Sequence, residues 1–436
     1  MGKREYYNRK TDNNVLKRAI IAFTTTFIGI MLIGVIVLLV ISSGLKSETP
    51  SEGSEDLEAN YFPKTVKIEK IEKAVQPETS TQVMQEEEES SENTEEKIEI
   101  EIPEEDREYT YLLEPTNEDS ITLGFAGDIL FDDNYAAGNA FRVHGNSAAG
   151  VIGTTLLNRM NQVDIMMVNN EFPYSDRGTP TEGKKFTFRA RPQTASILHT
   201  MGVDIVGLAN NHAYDYGEQA LLDTFDALSS QGIAYVGAGR NIDEASHTVY
   251  YVTPGGMKIA FICATQIERL QNPDTKEATS TSPGVFRCLD DSLLLTRIKE
   301  AKEKGAYVVV FIHWGTESTT ELDYLQKDQA IEIVQAGADA IIGSHPHILQ
   351  RMDYIQGVPV VYSLGNYIFN SKTLDTCMVV LTINKEGTVS MQMIPALQSD
   401  CTVNEATGEE AQRIYNKIMG MSPGISIDGE GFIRAQ

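Results

Sequence analysis

Two of the chain's seven histidines stand one residue apart in Ile341-Ile342-Gly343-Ser344-His345-Pro346-His347, directly after an apolar run. Imidazoles in such a place can be metal ligands or residues of a polar turn, and the rest of the sequence has to decide. Four other apolar runs end in a similar way. ITLGFA (121–126) leads into Gly127-Asp128, DIMMV (164–168) into Asn169-Asn170-Glu171, VDIVGLA into Asn210-Asn211-His212, and YVVVFI (307–312) into His313-Trp314. Turns favour Asp and Asn for reasons of their own, so one such end would mean little. Five in succession point to a site. Mixed carboxylate, amide and imidazole donors suit Mn, Fe or Zn, whereas copper-selective chemistry uses thiolates. Pro346 interrupts ladder pairing and leaves both imidazoles free to turn into a shared site.

The elements that must position these residues follow from periodicity. Further strand-like segments are 203–207, 258–263, 339–342, 358–362, 377–383 and 388–394. Helical patterns lie at 216–230, where Ala220, Leu221, Phe225 and Leu228 share a face, at 290–304, closed by Gly305, and at 324–336. Alternation of this kind predicts an α/β body with buried sheets. In open α/β folds, functional residues gather beyond the carboxyl ends of the strands, which is where these ligand types stand.

The motifs GFAGDIL, NNEFP, FTFRARP, GLANNHAYDYG, YVGAG, FIHWGTE, GSHPHILQ and YSLGNYIF follow one another over residues 120–395. Together they resemble the CapA family of capsule, or poly-γ-glutamate, biosynthesis proteins, relatives of the calcineurin-like metallophosphatases. The resemblance implies a four-layer α/β/β/α metallophosphatase-like sandwich with the ligands at one edge of the sheets. It also implies two divalent metals. Asp128 and His347 would hold one, and Asn211, His313 and His345 the other. Glu171 takes the bridging position that many relatives fill with Asp. His212 resembles the histidine that is not a ligand but stabilises the transition state or protonates the leaving group.

Two departures from the pattern carry consequences. Leu130 stands where metallophosphatases have a ligand histidine, so the metal at Asp128 is expected to bind more weakly. Ala213 stands where relatives have an acidic residue after the catalytic histidine, and Asp215 is the candidate to orient His212 instead. Arg189 and Arg191 of FTFRARP can bind a carboxylate or phosphate bidentately, or form a surface ion pair. Asn366 of YSLGNYIF is a candidate to shape the site, Trp314 to wall it, and Glu317 to support its ligands. Lys184 and Lys185 are expected to be solvated. His144, His199 and His247 lack ligand-like neighbours and read as ordinary histidines.

The remaining sequence bounds the setting. Residues 19–45 are uncharged, and the 19–42 stretch is long enough to span a bilayer. Six basic residues precede it and acidic ones follow, so the positive-inside rule places residues 1–18 in the cytoplasm and the body outside. An uncleaved single-pass signal anchor in the cell membrane is therefore expected. Residues 43–119 read as an acidic disordered stalk, because about 24 acidic against about 7 basic side chains between 46 and 119 leave too little apolar surface to fold. Within it, KIEIEIP (97–103) alternates like a strand and could pair with a sheet edge. The change of texture near Ile121 and the extent of the resemblance imply a CapA-like metallophosphatase-type body at 120–400 and a C-terminal extension at 401–436, and the composition of the stalk predicts that it is dispensable for folding. A net charge of −26 disfavours a nucleic-acid partner. The four cysteines form no CxxC pair, which argues against a structural zinc site. Cys263 and Cys377 are expected to be buried thiols, and a disulfide stays open.

The function expected on these grounds is that of a membrane-anchored extracytoplasmic protein of capsule or cell-envelope polymer biosynthesis. Its metal-dependent site would hydrolyse an envelope polymer or phosphoester substrate. The alternative is a non-hydrolytic accessory protein of polymer synthesis or export, working with other polymer-synthesis proteins and retaining a structural metal site.

Overall fold

The computed structural model of the chain describes residues 67–70, 102–267 and 275–436. The anchor expected at 19–42 and most of KIEIEIP, residues 97–101, lie outside the described residues. No described helix is long and apolar enough to cross a membrane.

Runs rich in β-branched residues become the central strands. Tyr307–His313 pairs in parallel with both Lys258–Thr265 and Ala340–Ser344. It is buried on both faces almost throughout, as central parallel strands are. Among the described residues these strands belong to an eight-stranded sheet. Its order is Lys67–Lys70, Thr110–Glu114, Val249–Val252, Lys258–Thr265, Tyr307–His313, Ala340–Ser344, Val358–Val361, Met352–Ile355. A second, larger sheet runs Ile425–Ile427, Phe432–Ala435, Val389–Ser399, Leu374–Asn384, Ser120–Ile129, Ile165–Asn170, Ile205–Gly207, Ala234–Val236. Asn366–Ile368 and Thr402–Glu405 pair onto this second path. The chain is thus a mixed α/β protein, as the alternating segments predict.

Period-two alternation sorts the strand side chains into separate cores. Phe125, Met167 and Ile205 of the second sheet pack in one cluster with Phe261, Phe311 and Ile342 of the first. Their neighbours Ala126, Met166 and Val206 pack instead with Leu157, Leu221 and Phe225 from helices Thr154–Gln162 and Gly217–Ser230. On the first sheet, Ile262, Val310 and Ile341 pack with Leu294, Ile298 and Ile333 from helices Ser292–Glu303 and Tyr324–Ala336. The last helix is closed as its sequence suggests. Asp323 and Gln326 form a reciprocal cap, and Gly337 adopts a left-handed conformation with φ 112°.

Two boundaries differ from the composition-based ones. Residues 104–114, assigned to the stalk, form a 3-10 turn and the strand Thr110–Glu114. Leu113 is fully buried between the sheets, and Lys304 binds both oxygens of the buried Asp106 at 2.6 and 2.8 Å. A few apolar residues at alternate positions suffice to add a strand, whatever the net charge around them. Residues 401–436 likewise continue the body. Thr402–Glu405, Ile425–Ile427 and Phe432–Ala435 pair into the larger sheet, and helix Gly408–Met421 buries Ile414, Tyr415 and Ile418. All four cysteines are free and buried, including Cys263 and Cys377.

Strand registers set the site level. Asp128 lies opposite Asn169, and Asn169 opposite Gly207. His313 lies opposite both Thr265 and Ser344. The first of these registers shifts between Ala126 and Asp128. At that bulge a Cβ on Gly127 would come within 1.8 Å of the Gly365 carbonyl, so only glycine fits. The Asp128 N–H donates to the same carbonyl at 3.1 Å.

Candidate metal centre

The aligned strand ends bring Asp128, Glu171, Asn211, His212, Asp215, His313, His345, His347 and Asn366 together. All are buried except His347, whose side chain is 18% exposed. The two sheets meet across them. His313 Nε2 lies 2.8 Å from Asn211 Oδ1, and His347 Nδ1 lies 3.1 Å from Asp128 Oδ2.

Glu171 stands at the middle. Its Oε2 accepts from Asn169 Nδ2 at 3.1 Å, while its Oε1 is buried with no hydrogen-bond partner. Around Oε1 stand three imidazole nitrogens: Nε2 of His313 at 3.8 Å, and Nε2 of His212 and of His347 at 4.0 Å each. These gaps are too long for hydrogen bonds. Two of them, those to His313 and His347, match the span across a cation about 2.1 Å from each of two ligand atoms. Leaving a buried carboxylate oxygen unpaired costs free energy, and this one asks for positive charge. Burial, reinforced by the nearby Asp128 carboxylate, holds the Glu171 carboxyl well above the usual range.

Two groups of potential ligands share this residue. Glu171, His313 and His345 offer atoms within 4.8 Å of one another, and so do Asp128, Glu171 and His347. In the first group His345 Nδ1 is 3.0 Å from His313 Nε2, and Asn211 Oδ1 adjoins the same nitrogen. Separations near 3 Å are those of neighbouring ligands about 2.1 Å from one ion. Ser344 Oγ, 2.9 Å from His313 Nδ1, fixes that ring from behind. Burial, and then the neighbouring His345, push His313 well below its ordinary pKa, so its ring is neutral and able to ligate. In the second group His347 Nδ1 donates towards Asn366 Oδ1 at 2.8 Å and Asp128 Oδ2, which leaves Nε2 for Glu171. Burial alone would depress His347; the Glu171 and Asp128 carboxylates outweigh it and raise it to about 9. His345 and His347 both hold positive φ, 98° and 60°. Such conformations are unfavourable for L-residues and concentrate at functional sites.

His212 belongs to neither group. Its Nδ1 bonds Asp215 Oδ2 at 2.7 Å, whereas Ala213 packs into the core. Burial lowers the His212 pKa against the pull of Asp215. Phe188 lies 4.3 Å from the His212 ring and Phe369 4.8 Å from His347, which gives the site an apolar wall.

Two expectations, for Lys184 and Trp314, do not hold. Lys184 is not solvated: its side chain is 7% exposed, and its Nζ donates to Asp215 Oδ1 at 2.5 Å and to the Asn211 carbonyl. Trp314 does not wall the site. It is fully buried in the core on the opposite face of its sheet, with Nε1 donating to the Tyr362 carbonyl at 2.9 Å. Alternation explains this, because Trp314 directly follows His313. Leu130 likewise packs into the helix-side core. Arg191 takes the surface ion-pair alternative, pairing with Asp133 at 2.9 Å, and Arg189 lies over the Tyr216 ring. Glu317 is exposed.

Three residues not singled out from sequence hold the arrangement. Asn169 Nδ2 bonds Asp128 Oδ1 at 2.8 Å as well as Glu171, and Asn210 Nδ2 bonds Asn169 Oδ1 at 3.1 Å. Ser344 is the third. Their positions at strand ends were visible; which of several amides faces inward depends on the register shift at Gly127.

Comparison with known proteins adds independent weight. A match to the family described as bacterial capsule synthesis protein PGA_cap covers residues 122–371, more than half the chain. The PGA biosynthesis protein CapA of Bacillus subtilis (strain 168) is 31% identical over 215 residues, 49% of this chain and 55% of that one. The capsule biosynthesis protein CapA of Bacillus anthracis is 32% identical over 243 residues, 54% and 58% of the two chains. A probable polyglutamine synthesis accessory protein of Mycobacterium tuberculosis is 24% identical over 276 residues, 59% and 72%. The chain thus matches little more than half the length of the two Bacillus proteins. The matched segment contains every residue of the histidine and carboxylate cluster, and the chain belongs to the bacterial capsule synthesis protein PGA_cap family.

Proposed function

We propose that this chain is a membrane-anchored, extracytoplasmic CapA-type protein of capsule, poly-γ-glutamate or cell-envelope polymer biosynthesis with a metal-dependent hydrolase site of the metallophosphatase kind. The observation that carries the site reading is the unpartnered Glu171 Oε1, shared by two ligand groups. Two divalent cations held there would lower the pKa of a shared water and clamp an in-line attack on a phosphoester, phosphodiester or γ-glutamyl bond. The chain's own residues supply the rest. Glu171 spans both groups, Asn169 and Ser344 hold their partners in place, and His212 stands beside them. With Nδ1 committed to Asp215, His212 can exchange a proton only at Nε2, the nitrogen turned towards Glu171. Phe188 and Phe369 limit access of water on that side. The three side-chain clusters support the α/β/β/α layering that the family resemblance implies. The uncharged 19–42 stretch and the six basic residues before it support the anchor and a cytoplasmic N-terminus, and polymer-synthesis proteins are the partners proposed with it.

A second reading has its own support. Leu130 and Ala213 depart from the hydrolase pattern and pack as core, and the mycobacterial relative is named an accessory protein. The chain would then bind polymer or partners around a structural metal. Both readings are tested by reconstituting the full chain with Mn, Fe or Zn and measuring metal content and turnover on phosphoester and γ-glutamyl substrates. Metal with turnover is the expected result. Metal without turnover supports the accessory role, and absence of metal rejects the site.

A further inference from the structure

A cavity of about 580 Å³ opens between the two sheets, near the Lys67–Lys70 edge of the first and the Ala234–Val236 edge of the second. Thr110–Glu114 and Val249–Val252 contribute from one sheet, and Ala234–Val236 and Asp204 from the other side. None of the residues of the histidine cluster lines it. Its size lies within the ordinary range of small-ligand pockets.

Aromatic planes make its walls. Tyr109, Tyr111, Tyr235 and Tyr251 all line it. Each is stacked against another ring: Tyr111 on Tyr251 at 5.2 Å, Tyr235 on Phe225 at 4.8 Å, and Tyr109 on His247 at 3.5 Å. The planes are therefore fixed before any ligand arrives, and little rotamer entropy remains to be lost. Burial pushes the Tyr111 hydroxyl up to about 12 and raises those of Tyr109 and Tyr235. All three are neutral phenols at physiological pH, able both to donate and to accept.

Charge narrows the choice of ligand. Lys70 and Arg240 stand against Glu108, Asp204 and Glu244 around the cavity. A phosphate or polycarboxylate would meet as much like charge as opposite charge. An acyl chain would set the Tyr109 and Tyr111 hydroxyls and the charged rim against apolar surface. A ring with an apolar face and many neutral hydroxyls suits both the stacked planes and the phenols. We propose that this inter-sheet cavity is a binding site for a neutral sugar unit, separate from the metal centre.

The test uses the full chain and the neutral disaccharides maltose, cellobiose and N,N′-diacetylchitobiose, followed by saturation-transfer NMR and calorimetry. At least one should bind saturably. Tyr235→Ala should weaken it about fivefold to tenfold, the share of one aromatic platform. Tyr235→Phe keeps the stack on Phe225 and removes only the hydroxyl, so it should weaken binding less while leaving the melting temperature unchanged. His345→Ala should leave sugar binding intact even where it empties the metal centre, so the two sites fail independently. The proposal is overturned if none of the three sugars binds at about 10 mM, ten times a weak Kd of 1 mM. It is equally overturned if both Tyr235 variants bind as wild type, if His345→Ala abolishes binding, or if a γ-glutamyl oligomer or inorganic phosphate competes for the same cavity.

Discussion

A chain beginning at Ser120 should be markedly less stable than the full chain, although composition alone predicts no loss. The truncation removes Thr110–Glu114, whose residues Thr110, Tyr111 and Leu112 pair in parallel with Tyr250, Tyr251 and Val252. Leu113, 0% exposed, leaves a hole between the sheets; emptying such a position costs about 2–5 kcal/mol. The lost stack of Tyr111 on Tyr251 is worth about 0.5–1.5 kcal/mol more. Removing Asp106 frees the half-buried Lys304 and adds at most about 1 kcal/mol. The deficit is therefore on the order of 3–6 kcal/mol, or roughly 5–9 °C in melting temperature for a body of this size. Thermal and urea unfolding of the full chain, of a chain beginning at Ile102, and of one beginning at Ser120 would measure it. The Ile102 chain should keep most of the stability. If the Ser120 chain melted within about 1 °C of the full one, the strand would contribute nothing and the packing argument would be wrong.

Other predictions concern single residues. His345→Ala should remove the more tightly held metal and His347→Ala mainly the weaker one, while His212→Ala should keep metal but lose turnover; elemental analysis and kinetics on the three variants decide this. Lys184→Met should destabilise the body by about 3 kcal/mol, because it strips a partner from the buried Asp215. Lys185→Met, at an exposed neighbour, should change stability by less than about 0.5 kcal/mol. His247 is depressed by burial to about 4. The unfolded chain, with a pKa near 6.5, binds that proton first as pH falls, so stability should drop between about pH 6.5 and 4 by on the order of 1–3 kcal/mol. His247→Gln should remove that part of the slope in pH-dependent urea unfolding, and an unchanged slope would contradict the assignment.

Much of the site was legible because strand ends are legible. The runs at 121–126, 164–168 and 307–312 appear as Ser120–Ile129, Ile165–Asn170 and Tyr307–His313, each with its polar residue at the carboxyl end. Helices 216–230 and 324–336 fall within a residue of Gly217–Ser230 and Tyr324–Ala336. What escaped depends on contacts distant in sequence. Nothing local distinguishes Lys184 from Lys185; burial of the first follows from Asp215, 31 residues away. Thr110–Glu114 lies in an acidic segment whose average composition hides one strand, and its partner Val249–Val252 is far along the chain. Trp314 was misplaced for a local reason, since strand alternation already sets it opposite His313.

That opposite placement has a practical consequence. Trp314 is the chain's single tryptophan, wholly enclosed and stacked on Tyr362 with ring centroids 5.6 Å apart. Its emission should be blue-shifted in the native state and move red on unfolding, free of signal from any other indole. It also shares a peptide bond with His313, so Mn or Fe entering the histidine cluster should quench it, whereas Zn, with its filled d shell, should not. One fluorophore can thus report both the integrity of the first sheet and the arrival of a paramagnetic ion at its edge.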